Sequence, residues 1–185
     1  MANIGLNKVE AARRQIDTGI RMLFSGKDPA AIHTVTMAGF RIVRDLTAKR
    51  GDSYMHQIAK AMIKPGKEKE FWGALQGPAN FLKHADRDAD AVLDDVGEEV
   101  NELILLIASM YYEDITRQSS PEMKILWCWC MALRPHLLKD EAPASIRAML
   151  KDFRKDVVGK PREEQLSICN KKLQTAKEIV RDGVT

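Results

Sequence analysis

Twice in this chain a capping residue stands directly before a proline and a long run of apolar residues spaced three and four apart: Asp28-Pro29 and Ser119-Ser120-Pro121. A carboxylate or hydroxyl there accepts from the first free amides of a helix, and proline's fixed φ and missing N–H cost nothing at the first helical position. The first signal opens a helix to about Lys49 that sets Ile32, Val35, Gly39, Ile42, Val43 and Leu46 on one side. His33, Met37 and Phe40 widen that surface, which predicts a central helix. The second opens a Trp-rich helix ending near Arg134-Pro135.

The same period organises the rest. Val9, Ile16, Ile20 and Leu23 predict a helix over Leu6 to Phe24, stopped at Ser25-Gly26. Gly51-Asp52 opens a shorter helix through Ile63 that ends at Pro65-Gly66, and another spans Glu68 to Leu75 before Gly77-Pro78 breaks or re-caps it. Val100, Leu103, Ile104, Ile107, Met110 and Tyr111 predict a long core helix over Val96 to Arg117. Beyond Pro143, Ile146, Leu150, Phe153 and Val157 mark one amphipathic helix, and Leu166, Cys169, Leu173, Ala176 and Val180 mark another. No segment alternates as a strand would. The fold class is therefore all-α, a multi-helix bundle of about seven or eight helices. Residues 1–140 form the bundle core, and residues 141–185 are C-terminal amphipathic helices docked on it or used in oligomerisation, one domain overall.

Composition narrows the function classes. A chain of 185 residues, 45% apolar and 30% charged, can bury a core without disulfides. A net charge of +3 does not by itself direct it to nucleic acid. None of the three cysteines has zinc spacing. Cys128 and Cys130 in Trp-Cys-Trp-Cys read as small buried apolar residues, and reduced thiols suit the cytoplasm. The N-terminus shows no signal peptide, and the apolar run Leu103 to Tyr112 is about half of a membrane span, so no membrane is expected. No Gly-rich phosphate loop, nucleophile elbow or zinc-protease motif occurs, and no cofactor or resident metal is expected.

One stretch departs from this ordinary pattern. Pro78 to Asp90 crowds an amide, an imidazole, two cations and three carboxylates into thirteen residues. Asn80, His84 and Asp88 are four residues apart, so a continuous helix would put them on one face. Asp88 would orient or activate His84, Asn80 would hold a water or phosphate, and Lys83 and Arg87 would supply positive charge. The alternative is a solvated turn and helix cap with His84 at its edge.

Asn80-Phe-Leu-Lys-His-Ala-Asp-Arg-Asp88 resembles a motif of uncharacterised bacterial all-helical proteins, and more distantly Asn80-x-x-x-His84 is similar to the core of the HEPN (higher eukaryotes and prokaryotes nucleotide-binding) motif. That resemblance implies a helical bundle, often dimeric, and in many members a metal-independent ribonuclease of toxin or defence systems. It would make His84 the general acid or base and Asn80 a phosphate holder. Ala79 stands where the motif has arginine, which leaves the cationic part to Lys83 or Arg87.

A metal-dependent nucleotide hydrolase is a further alternative. His84, Asp86 and Asp88, with His33, offer imidazole and oxygen ligands, and Glu98, Glu99, Glu102 and Glu113 line the long helix. These stripes resemble those of all-helical nucleoside-triphosphate pyrophosphohydrolases, although Thr116 replaces the second acid of the second pair. His33 otherwise reads as a core histidine satisfied by a neighbour, His56 and His136 as peripheral, and one of Trp127 and Trp129 as facing a partner. The leading expectation is a helical interaction module that binds a protein partner or itself, with RNA or a nucleotide as the ligand of the alternative.

Overall fold

The computed structural model describes residues 5–51, 65–84, 86, 89–93, 97–138 and 142–183. The helix expected from Gly51-Asp52 to Ile63, with His56, lies outside the described residues, which form α-helices, one 3₁₀ turn and no strand. The helices are α1 (Lys8–Phe24), α2 (Pro29–Arg50), α3 (Glu68–Phe81), α4 (Glu98–Thr116), α5 (Pro121–Leu133), α6 (Ala144–Val157) and α7 (Arg162–Arg181), with the turn at Pro135–Leu137.

Both proline-marked starts form as their chemistry requires. Asp28 Oδ1 accepts from the Ala31 amide at 3.0 Å, and Ser120 Oγ accepts from Met123 at 3.2 Å. Asn7 caps α1 through the Glu10 amide at 2.8 Å. Gly51, at φ 79°, ends α2 in a conformation that a side chain would strain. α3 differs from expectation, because it runs through Gly77-Pro78 to Phe81. Proline costs a helix one hydrogen bond and some crowding. Here Leu75 and Ala79, one turn apart, are buried on α3 as it packs against α2, and that burial keeps the helix whole.

α2 is central, packed between α1 and α4. Its buried face comprises Ile32, His33, Thr36, Met37, Gly39, Phe40, Val43 and Thr47, so the core side is turned away from the half-buried Val35, Ile42 and Leu46. Close approach of backbones explains the turn. A Cβ on Gly19 of α1 would stand 2.6 Å from Thr36 Oγ1 and 2.9 Å from Leu105 Cδ2, and one on Gly39 would meet Ala12 O at 3.2 Å. Small residues on facing helices let α1 and α2 touch, and the threonine fills the space that a glycine opens. Leu103, expected in the core, is 38% exposed, because the inward face of α4 runs through Asn101, Ile104, Leu105 and Ala108.

The C-terminal helices pack onto this core. Leu150, Phe153 and Val157 of α6 are buried as α6 meets α5, and Leu166, Cys169 and Leu173 of α7 are buried as α7 meets α5 and α1. The seam of α7 then runs out: Ala176 is half-buried and Val180 is 57% exposed.

Buried charges tie these helices together. Ser120, the cap of α5, donates to Asp17 of α1 at 2.6 Å, and Arg13 reaches the same carboxylate at 2.8 Å. Burial pushes the Asp17 carboxyl up, which Ser120 and Arg13 oppose. Glu122 of α5 is gripped by Arg21 of α1 at 2.6 Å and Lys177 of α7 at 2.7 Å. Burial alone would raise its pKa; the contacts of Lys177 and Arg21 outweigh that and hold it below the ordinary value.

Candidate functional site

The polar segment begins in the last turn of α3. Beyond Phe81 the chain leaves the helix, and the Lys83 and His84 amides both donate to the Asn80 carbonyl at 3.1 Å. Asn80 is therefore helical and exposed, whereas His84 lies past the helix end, so the continuous face expected for Asn80 and His84 does not form. Pro78 is absorbed by α3, and the helix stops three residues later, at Phe81. His84 is half-buried, with Nδ1 3.8 Å from Asp86 Oδ1, beyond hydrogen-bond reach. Arg87 and Asp88, the other residues expected here, lie outside the described residues.

The residue that sequence reasoning missed is Arg41. Its Nη2 crosses from α2 to donate to Asn80 Oδ1 at 3.0 Å. Arg41 follows Phe40 on the helix whose apolar face drew attention, and a cation at the rim of that face gave no signal of its own. Ala79 is fully buried and faces the core, and a guanidinium arrives at Asn80 from another helix. Lys83 feels the same neighbour: partial burial and the charge of Arg41 both lower its pKa. Nearby, Phe40 stacks with Trp72 of α3 at 6.2 Å between ring centroids, which fixes the two helices edge to edge.

His33 belongs to the core. It is fully buried, and its Nδ1 lies 3.0 Å from Asn101 Oδ1. Asn101 spends its amide on the Pro29 carbonyl at 2.9 Å, so its oxygen must accept and the imidazole must donate from Nδ1. Nε2, also buried, has no hydrogen-bond partner among the described residues. Burial depresses the pKa of the ring, against the pull of Asn101 and Leu75 and with the help of Arg41. The ring is enclosed in the core and held by Asn101.

Glu102, the buried member of the acidic stripe on α4, is likewise engaged within the fold. Glu102 is buried, and its two oxygens are taken by Arg134 Nη2 at 2.9 Å and by Arg162 Nη2. Arg162 also lies over the Trp129 ring, 4.5 Å from its centroid, and near Glu98 at 3.6 Å. A carboxylate gripped by two guanidiniums has its charge answered within the fold. Among the described residues no group of three or more His, Cys, Asp or Glu side chains stands close enough to hold a metal ion. The cysteines are all buried and free, and burial pushes the Cys130 and Cys169 thiols up to about 12.

A groove of about 840 Å³ opens where α4, α5 and the exposed side of α6 meet. Leu106, Met110, Met123 and Trp127 form its apolar lining, Met149 of α6 closes one end at 46% exposure, and Glu113 and Lys124 stand at its margin. Trp129 is fully buried, so the two tryptophans divide as their spacing requires, with Trp127 at the groove. Among the described residues no helix is long and apolar enough to cross a membrane. No family model, curated protein or solved structure matches the chain.

Proposed function

We propose that the chain is a helical interaction module that takes an amphipathic helix of a protein partner into the groove between α4, α5 and α6. The observation that carries this reading is the lining: three methionines and a half-buried tryptophan on an open surface. Methionine is unbranched and polarisable, so such a surface repacks around apolar side chains presented at helical spacing. Ser109, Gln118 and Ser119 are the neutral polar residues that accompany Glu113, Arg117 and Lys124 around that apolar lining. The margin carries both signs of charge, which suits a protein helix better than a nucleic-acid backbone.

The test is affinity capture with wild type, Met110→Glu and Lys83→Gln, followed by titration of the purified partner against each. Loss with Met110→Glu and retention with Lys83→Gln is the expected pattern, and sedimentation equilibrium shows whether a second copy is the partner. Capture that is indifferent to Met110→Glu would remove the groove reading. RNA cleavage lost in His84→Ala would favour the nuclease alternative instead.

A further inference from the structure

We infer that Arg41, Asn80 and Lys83 form a binding site for a tetrahedral oxyanion, the phosphate group of a small molecule or the free ion, at the edge where α3 meets α2. The hydrogen bond from Arg41 Nη2 to Asn80 Oδ1 pins the guanidinium beside the end of α3. Arginine has five N–H donors, so most of them remain for a ligand. The same bond uses the amide oxygen of Asn80 and leaves its NH₂ as a donor. Lys83 is bound through its own amide to the Asn80 carbonyl at 3.1 Å, so its side chain starts from the same turn. Its ammonium lies within range of the charge of Arg41.

Like charges held together are costly unless something answers them. Elsewhere in this protein clustered cations share a carboxylate: Arg13 and Arg14 on Glu10, Arg21 and Lys177 on Glu122, Arg134 and Arg162 on Glu102. Among the described residues no carboxylate forms an ion pair with Arg41 or Lys83. A dianionic phosphate converts that repulsion into two attractive contacts, with the planar guanidinium fork engaging two oxygens. Arg41 is half-buried while Asn80 and Lys83 are exposed, so the ligand reaches the site without any rearrangement. One compact cationic pair in a chain of net charge +3 fits a single phosphate group better than an extended backbone. The site shares no residue with the groove, and the inference does not rest on the groove reading.

The test titrates the full chain with inorganic phosphate and, separately, with a 5′-mononucleotide by calorimetry at constant ionic strength. Wild type, Arg41→Gln, Lys83→Gln and the control Lys151→Gln are compared, with circular dichroism to check folding. Saturable binding that weakens about tenfold or more in Arg41→Gln and Lys83→Gln, and is unchanged in Lys151→Gln, is the expected result. Equal affinity for the two probes would identify the phosphate group alone as the ligand, and tighter binding of the nucleotide would identify a carried phosphate. Lys83 is exposed, so Lys83→Gln reports on the site even if Arg41→Gln disturbs the fold. Absence of saturable binding by either probe, or binding that survives both substitutions, would overturn the inference.

Discussion

Two ionic clusters in this molecule are built from similar parts and differ in one respect. Around Glu102, two guanidiniums converge on one buried carboxylate, and the indole of Trp129 lies under one of them. At the edge of α2 and α3, Arg41 donates to the Asn80 amide, Lys83 lies within range of its charge, and among the described residues neither cation forms an ion pair with a carboxylate. The first cluster closes on itself and joins α4 to the start of α7 and the end of α5. In the second, Asn80 and Lys83 are exposed and Arg41 is half-buried. Internally satisfied charge serves the fold, and charge left unanswered at a half-exposed edge is available to a ligand.

The largest test of that contrast is Glu102→Gln. It leaves two arginines facing a neutral amide, and because both are about one-third exposed they relax partly into water. Denaturant unfolding is expected to show a loss of about 2–4 kcal/mol, below the upper range for a fully buried pair. A change under about 0.5 kcal/mol, as for an ordinary surface substitution, would place Glu102 among surface pairs and break the comparison.

Next comes the steric side of the same core. Gly19→Ala puts a methyl 2.6 Å from Thr36 Oγ1 and 2.9 Å from Leu105 Cδ2, so it is expected to destabilise by about 1–3 kcal/mol in the same measurement. Thr36→Ala should recover part of that loss by making room, which separates crowding from any effect of helix propensity.

A smaller effect is expected from pH. The folded pKa of His33 lies below its ordinary 6.5, so the unfolded chain takes up the proton first as pH falls. The stability contributed by the neutral ring is present above 6.5 and is lost as pH drops through the depressed folded value. The slope should not exceed about 1.4 kcal/mol per pH unit for this one group. Unfolding curves of wild type and His33→Gln between pH 7.5 and 5 check it. A parallel pH dependence in the two proteins would remove His33 from the account.

The smallest expected change is in Lys83→Gln, whose stability should stay within about 0.5 kcal/mol of wild type. Removing an ammonium that faces another cation takes away no attractive contact among the described residues.

The helix pattern was legible because its signals are local. Asp28, Ser120 and the apolar periods of α1, α6 and α7 act within a few residues of themselves, and those elements form nearly where expected. Pro78 misled because its cost is local while the burial of Leu75 and Ala79 that overrides it is tertiary. The polar architecture was not legible for a related reason. Ser120 meets Asp17 across 103 residues, Arg162 meets Glu102 across 60, and Arg41 meets Asn80 across 39. Nothing in a single sequence links such positions. Hence no local pattern signalled that Glu102 clamps Arg134 and Arg162, or that Arg41 makes contact with Asn80.

The central contrast is tested most directly by thermal unfolding of wild type, Glu102→Gln and Lys83→Gln in phosphate and in chloride at equal ionic strength. A ligand that binds only the folded chain raises its midpoint, so phosphate should raise that of wild type. Glu102→Gln should melt lower in both buffers and keep the increment, whereas Lys83→Gln should match wild type in chloride and lose most of the increment in phosphate. An equal rise in all three proteins, or no rise in any, would contradict the account.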